Sequence, residues 1–429
     1  MGPLAERLMA LARSRPAAVA VRDARGRVVR WGEIERWAAR AVPARDGVRR
    51  VPVRPRLGAA VRLCAAWRRG EVAIAVPPPG DPAREAALRW RGEGGGREQP
   101  AAVLFSSGTT GRPRAVVHTA SSLLASARAV NARLGAGPGA VWLCPLPLQH
   151  VGALAVLVRA IVGGYAAELH ERFDAQAVVR ALASGRVTHV SLVGRMLERL
   201  LEHRVPWRPA SSLRAVVVGG GPVDPDLVRR ARRRGIPVCL TYGCTEAGSQ
   251  ITTQAPGETG LDLGRPIDGV QLRVGDNGSL WVRGPVLAAG LGGGDGWYDT
   301  GDLGTLGAGA RLLALERRVD LIVSGGKNVR PVRVERVLEA CPAVREAAVL
   351  GWPDRSWGER VVAVVRRAEP VERERLERWC AERLAVWERP RSWVWVDEPL
   401  PRTALGKLRR AELRRRLERR GLRAVEDER

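Results

Sequence analysis

The chain has 429 residues, 45% of them hydrophobic and 27% charged, a length for two or three domains built on apolar cores. The formal net charge of +26 would suit a nucleic-acid partner, but the arginines are spread along the whole chain and aromatic residues are only 4%, too few for a base-stacking platform. No apolar run approaches the roughly 18 residues of a membrane span, residues 1–16 lack the apolar centre and cleavage site of a secretory leader, and six scattered cysteines show no CxxC pair or metal-ligand spacing, so the expectation is a reducing cytoplasm without membrane insertion.

Residues 1 to 100 read as mixed α/β, ending in a Gly/Arg-rich loop, "RWRGEGGGREQP". From 101 to about 255, strand and helix patterns alternate. "AAVLF" is a short buried strand, "SSLLASARAVNARL" has helical spacing and "HVGALAVLVRAIVGG" is an apolar helix. "THVSLV" is a strand leading to the helix "RMLERLLEH", and "LRAVVVGGG" is a strand ending in glycines. "DPDLVRRARRRG" is a helix opened by Asp224 and closed by Gly235, and "IPVCLTYG" is a strand. Such alternation predicts a largely parallel sheet covered by helices, with ligands at the C-terminal ends of its strands. Gly220, Gly221 and Pro222, and then Tyr242 and Gly243, fall at two of those ends. Residues 256–316 change to short Gly-rich strands, a β subdomain. Beyond about 320 a further α/β unit follows and closes with the basic helix "KLRRAELRRRLERR".

One loop stands out chemically. In "VLFSSGTTGRPRAVVH", Ser106, Ser107, Thr109 and Thr110 bring small hydroxyls, while Gly108 and Gly111 let the backbone approach a ligand. Successive backbone N–H groups in such a turn form an anion-binding concavity. Arg112 and Arg114 add positive charge, so a polyphosphate is the natural guest; the spacing is not that of a P-loop. The plain alternative is a Ser/Gly-rich hairpin turn. Arginine also dominates the basic residues: of 71 only Lys327 and Lys407 are lysine. A lysine kept in such a chain suggests a position needing a compact ammonium rather than a planar guanidinium.

Five stretches then occur in order: "SSGTTGRPR" (106–114), "TYGCTEAGSQ" (241–250), "GWYDTGDLG" (296–304), "RRVDLIVSGGKNVRP" (317–331) and "PRTALGKLRR" (401–410). Together they resemble the acyl-adenylate-forming superfamily of acyl-CoA ligases, luciferases and nonribosomal adenylation domains, from about residue 100 to the end. The resemblance implies a large N-terminal domain of layered mixed and parallel sheets with helices, residues 1–318. A small mobile α+β domain, residues 319–429, follows, with the hinge at Val319, where the family usually has a polar residue. It implies two steps: a carboxylate attacks the α-phosphorus of MgATP to give an acyl-adenylate and pyrophosphate, and the thiol of coenzyme A then displaces AMP.

The residue roles follow from the same resemblance. The loop 106–111 with Arg114 would wrap the β- and γ-phosphates, Arg114 standing where the family commonly has lysine. Glu246 matches the magnesium-linked glutamate and Thr245 the phosphate-contacting threonine. Tyr242 matches the aromatic beside the adenine, and Asp302 and Arg317 match the ribose-binding pair. Lys407 matches the mobile lysine that bridges the carboxylate and the α-phosphate. Asp302 could instead be a turn residue and Glu246 a helix N-terminal acid. Departures include Glu316 where a glycine often stands, and Lys327 and Arg330 in place of the commoner glutamate and tyrosine.

"LTYGCTEAGSQITT", "PLPLQHVGALAVLVRAIVGG" and "VSLVGRMLERLL" resemble one branch, the o-succinylbenzoate–CoA ligases of menaquinone biosynthesis. The acid would be an aromatic dicarboxylate, activated at its aliphatic carboxylate. Its second carboxylate would need polar or cationic partners, for which His150, Ser249, Gln250 and Arg195 are the candidates. "SLVGR" departs there from the usual "SLVPT", and His150 could simply pack at a helix start. The alternatives are a ligase for another aryl or fatty acid, or a non-catalytic nucleotide-binding homologue. Expected partners are a small carboxylic acid, MgATP and coenzyme A, not nucleic acid, with a homodimer left open.

Overall fold

The computed structural model of the chain describes residues 2–54, 56–92, 99–106, 113–203, 205–317, 321–402 and 408–420. They form two compact units, residues 1–300 with 304–314 and residues 315–429 with 301–303. The first unit opens with α1 (Pro3–Ser14), β1 (Val19–Asp23), β2 (Val28–Arg30), α2 (Trp31–Arg40), β3 (Val48–Pro52) and α3 (Arg56–Arg68). It continues with β4 (Val72–Val76), α4 (Arg84–Arg89), β5 (Pro100–Ser106), β6 (Arg114–Thr119) and α5 (Ala120–Leu134). Then come β7 (Val141–Cys144), α6 (Val151–Gly163), β8 (Ala166–Leu169), α7 (Ala175–Ala183), β9 (His189–Leu192) and α8 (Gly194–Leu201). β10 (Ala215–Val218), α9 (Pro225–Arg233), β11 (Val238–Tyr242), β12 (Thr252–Thr253) and β13 (Arg265–Pro266) complete the alternating part.

Local chemistry explains the helix limits. The Thr119 and Asp224 side chains accept the backbone N–H of Ser122 and Asp226, capping α5 and α9. Gly135 and Gly164 close α5 and α6 at φ +64°, a conformation that costs glycine little. α6 is buried over most of its length, as an almost wholly apolar helix must be.

A nine-stranded sheet runs β13-β12-β11-β10-β9-β7-β8-β1-β2. Within it β11, β10, β9, β7 and β8 are mutually parallel neighbours. Their side chains are almost all buried, as a parallel sheet covered on both faces requires. β3-β4-β5-β6 form a separate four-stranded sheet, in which β5 and β6 make an antiparallel hairpin. A third sheet joins β14 (Gln271–Val274), β15 (Ser279–Arg283), β16 (Tyr298–Leu306) and β17 (Leu312–Arg317).

The second unit contains β18 (Ile322–Ser324), β19 (Lys327–Val329), α10 (Pro331–Glu339), β20 (Val344–Asp354), β21 (Gly358–Arg367), α11 (Arg373–Ala381), β22 (Ser392–Trp395) and α12 (Arg410–Arg419). The two-residue period of β20 and β21 feeds two cores. Ala347, Val349, Val361, Ala363 and Val365 pack with Val334, Leu338, Leu376 and Cys380 on one face. Ala348, Leu350, Val362 and Val364 pack with Leu413 and Leu417 of α12 on the other. The six cysteines are free, and all but Cys244 are buried. Among the described residues no helix is long and apolar enough to cross a membrane.

Candidate active site

The predicted site residues of the first unit follow the ends of adjacent strands. His150 follows β7 and caps α6, Arg195 follows β9 at the start of α8, Gly220, Gly221 and Pro222 follow β10, and Gly243 through Gln250 follow β11. These four strands are parallel neighbours in the order β11-β10-β9-β7. All four sets therefore emerge on one edge of the sheet, where ligands of such sheets collect. Two glycines permit the close approach of these turns. A Cβ on Gly219 would lie 2.8 Å from the Thr241 carbonyl oxygen, and one on Gly243 only 1.6 Å from the Ser249 carbonyl oxygen.

The turn after β11 is tightly held. Residues Thr245–Ala247 make one short 3₁₀ turn, and Gly248 follows at φ +63°. Ser249 stands at φ +112°, a strained value for a residue with a side chain. Ser249 N–H donates to the Cys244 carbonyl at 3.2 Å and Ile251 N–H to the Tyr242 carbonyl at 2.8 Å. Tyr242 is buried, while Thr245 and Glu246 are half-buried. Gln250 is buried, with its Nε2 donating to Thr241 Oγ1 at 3.1 Å and its Oε1 without a protein partner. An acceptor left in that state is suited to a donor from outside the protein.

In sequence the hydroxyl-rich loop joins β5 to β6, which pair antiparallel. Ser106 and Arg114 pair across its base, and Arg114 is exposed. Ser107, Gly108, Thr109, Thr110 and Gly111 lie outside the described residues, as do Val319 and Lys407 and the side chains of Ser106 and Arg317. What ties this hairpin to the β11 turn is a residue the sequence reading passed over. His118, fully buried on β6, places Nε2 2.8 Å from the Thr245 carbonyl oxygen and Nδ1 3.2 Å from Ser122 Oγ. Ser126 Oγ on α5 donates to the Gly248 carbonyl at 3.1 Å, and Ala288 N–H to that of Glu246 at 2.8 Å. Burial drives the His118 pKa down from 6.5 to about 4, so the ring is neutral. The only sequence signal was a rare residue: the chain has five histidines.

His150 makes no side-chain capping bond, and burial lowers its pKa, with Asp81 opposing and Arg56 reinforcing the shift. A neutral imidazole there can donate or accept. Arg195 is largely exposed and pairs with Glu198 on its own helix. In the second unit Asp302 is buried on β16, and the backbone of Arg317 ends β17. Among the described residues no three His, Cys, Asp or Glu side chains are grouped to hold a metal ion. A single carboxylate such as Glu246 suits magnesium that arrives with a nucleotide, because magnesium takes most of its ligands from phosphate and water.

The chain resembles known proteins along most of its length. Residues 58–291 match the model of the AMP-binding enzyme family, and residues 333–407 match the AMP-binding enzyme C-terminal domain. It is 34% identical over 329 residues to a 2-succinylbenzoate–CoA ligase of Listeria monocytogenes, covering 74% of this chain and 70% of that protein. It is 37% identical over 338 residues to the enzyme of that name from Bacillus licheniformis, with the same two coverages. The o-succinylbenzoate CoA synthetase of Bacillus subtilis, solved with the acyl-adenylate intermediate OSB-AMP, superposes with a TM-score of 0.82 at 28% identity over 95% of this chain and 97% of that one. The same enzyme with ATP and magnesium gives 0.80 at 28% identity over 95% and 99%. With a family model spanning more than half its residues, the chain belongs to the AMP-binding enzymes.

Proposed function

We propose that the chain is an AMP-forming ligase that joins 2-succinylbenzoate to coenzyme A at the expense of MgATP. The observation that carries this reading is the gathering of the β7, β9, β10 and β11 turns on one sheet edge, with the phosphate-loop hairpin bonded to the last of them through His118. The named relatives support the choice of acid. In the first step an oxygen of the aliphatic carboxylate attacks the α-phosphorus of ATP. The bond from that phosphorus to the bridging oxygen breaks, and pyrophosphate leaves with magnesium. In the second step the coenzyme A sulfur, its proton released, attacks the acyl carbon, and AMP departs with the former carboxylate oxygen.

Attack brings two anions together, so the residues must neutralise charge in the transition state. Backbone N–H groups of residues 106–111 and Arg114 would hold the β- and γ-phosphates, and Thr245 a phosphate oxygen. Glu246 would bind the magnesium of MgATP. Tyr242, Gly243, Gly220, Gly221 and Pro222 would border the adenine, and Asp302 and Arg317 the ribose hydroxyls. Lys407 would bridge the attacking carboxylate and the α-phosphate, after which the domain beyond Val319 would move aside to admit the thiol. His150, Ser249, Gln250 and Arg195 would surround the acid. A cytoplasmic location suits these co-substrates.

The test is coenzyme A consumption by purified protein with MgATP and a panel of acids that includes 2-succinylbenzoate, benzoates and fatty acids. Turnover confined to 2-succinylbenzoate and lost in Lys407→Ala is the expected result. Turnover with another acid alone would move the substrate, and release of no pyrophosphate with any acid would refute a ligase.

A further inference from the structure

We infer that His118 is a positioning residue that fixes the Thr245–Glu246 turn for magnesium–nucleotide binding and thereby couples that turn to the phosphate-loop hairpin; the inference rests on the nucleotide reading above. His118 lies four residues beyond Arg114 on the same strand, and its ring nitrogen reaches the carbonyl of Thr245, 127 positions away in sequence. A carbonyl oxygen can only accept, so Nε2 carries the proton and Nδ1 is the acceptor. Ser122 Oγ lies 3.2 Å from both Nδ1 and the Thr119 carbonyl, so its one proton is shared between two acceptors while the Thr245 carbonyl fixes the tautomer. Burial keeps the ring uncharged, with its pKa near 4, so the clamp costs no desolvated charge.

The turn has reason to need a clamp. Ser249 is held at φ +112°, and Gly243 passes so close to Ser249 that any Cβ would collide. Backbone held in such a state persists only when its surroundings over-determine it. His118 from β6, Ser126 from α5 and Ala288 N–H each bond one carbonyl of this turn. Of the three, only His118 sits on the strand that leads out of the hydroxyl-rich loop. A shift of that strand is therefore transmitted to Thr245 and Glu246 without passing through the sheet. The Thr245 carbonyl also accepts Gly248 N–H at 3.2 Å, so losing His118 loosens the turn rather than unfolding it.

Calorimetric titration of the full-length protein with MgATP and, separately, with AMP without magnesium tests this, using wild type, His118→Leu, His118→Gln and Ser122→Ala. One buried hydrogen bond lost predicts about a fivefold weaker MgATP affinity in His118→Leu. AMP affinity should stay within twofold, and His118→Gln, whose amide can donate to Thr245, should recover most of the loss. A general structural role would weaken both nucleotides alike, and that outcome overturns the inference, as does wild-type MgATP affinity in a folded His118→Leu. If His118→Leu does not fold, Ser122→Ala decides: it should show the same selectivity at smaller size, and equal losses or none would sink the idea. No acid is present, so failure of wild type to use 2-succinylbenzoate would leave this result standing, whereas failure of wild type to bind MgATP would remove both readings.

Discussion

Gly243→Ala is the sharpest single perturbation. The added methyl carbon would lie 1.6 Å from the Ser249 carbonyl oxygen, 2.5 Å from its carbon and 2.8 Å from Gln250 Cα. All three are backbone atoms, so no side chain can rotate away. Restoring ordinary contact at 3.4 Å requires the two passes of the loop to separate by well over 1 Å. That separation strains or breaks the Ser249 N–H bond to Cys244, the Ile251 N–H bond to Tyr242 and the Gln250 bond to Thr241. Overpacking costs roughly 1–3 kcal/mol and each lost hydrogen bond about 1 kcal/mol, so a destabilisation of about 3 kcal/mol is expected with one bond lost and about 5 kcal/mol with all three. The turn carrying Thr245 and Glu246 would be displaced as well, and misplacement of about 1 Å can cost on the order of a hundredfold in rate. Urea unfolding gives the first quantity and ATP–pyrophosphate exchange with 2-succinylbenzoate the second. Gly137→Ala is the control, because nothing lies within 4 Å of its added Cβ and its φ is not positive. Wild-type stability and exchange in Gly243→Ala would refute the packing reasoning outright.

Acid should weaken the fold before the carboxylates titrate. The unfolded His118 takes up a proton near pH 6.5, the folded one near 4, so between these values the unfolded state binds more protons. Its contribution is complete above pH 6.5 and is lost as pH falls towards 4, up to about 3 kcal/mol; His150 and His189 are shifted in the same direction. Urea midpoints measured from pH 7.5 to 4.5 should fall with acid, and less steeply in His118→Gln; parallel curves would contradict this. Lys407→Arg should fail to restore the adenylation lost in Lys407→Ala, since a planar guanidinium does not replace a compact ammonium, with pyrophosphate exchange as the readout. Glu246→Gln should raise the magnesium concentration needed for half-maximal exchange at least tenfold while leaving the urea midpoint nearly unchanged, because Glu246 is only half-buried.

Much of this protein is written locally. The helical spacing of α5 and the opening of α9 at Asp224 depend on near neighbours, so composition and spacing reveal them. The glycines after β10 and β11 and the hydroxyl-rich loop were legible for the same reason: a short stretch carries its own chemistry. Strand order is a different matter. β7 lies between β8 and β9, and β1 joins this sheet while β3 to β6 form another; no local pattern encodes such a choice, because it follows from which apolar faces bury one another. The bond from His118 to Thr245 spans 127 residues, and on its own strand His118 simply follows two valines and precedes a threonine. The crossing of Gly243 over Ser249 and the burial of Gln250 and Asp302 likewise exist only once the strands are registered. The sequence by itself determined the elements and the chemistry carried at their ends. Tertiary structure decided which ends meet, since long-range hydrogen bonds and steric contacts are set by sheet register and burial rather than by neighbouring residues.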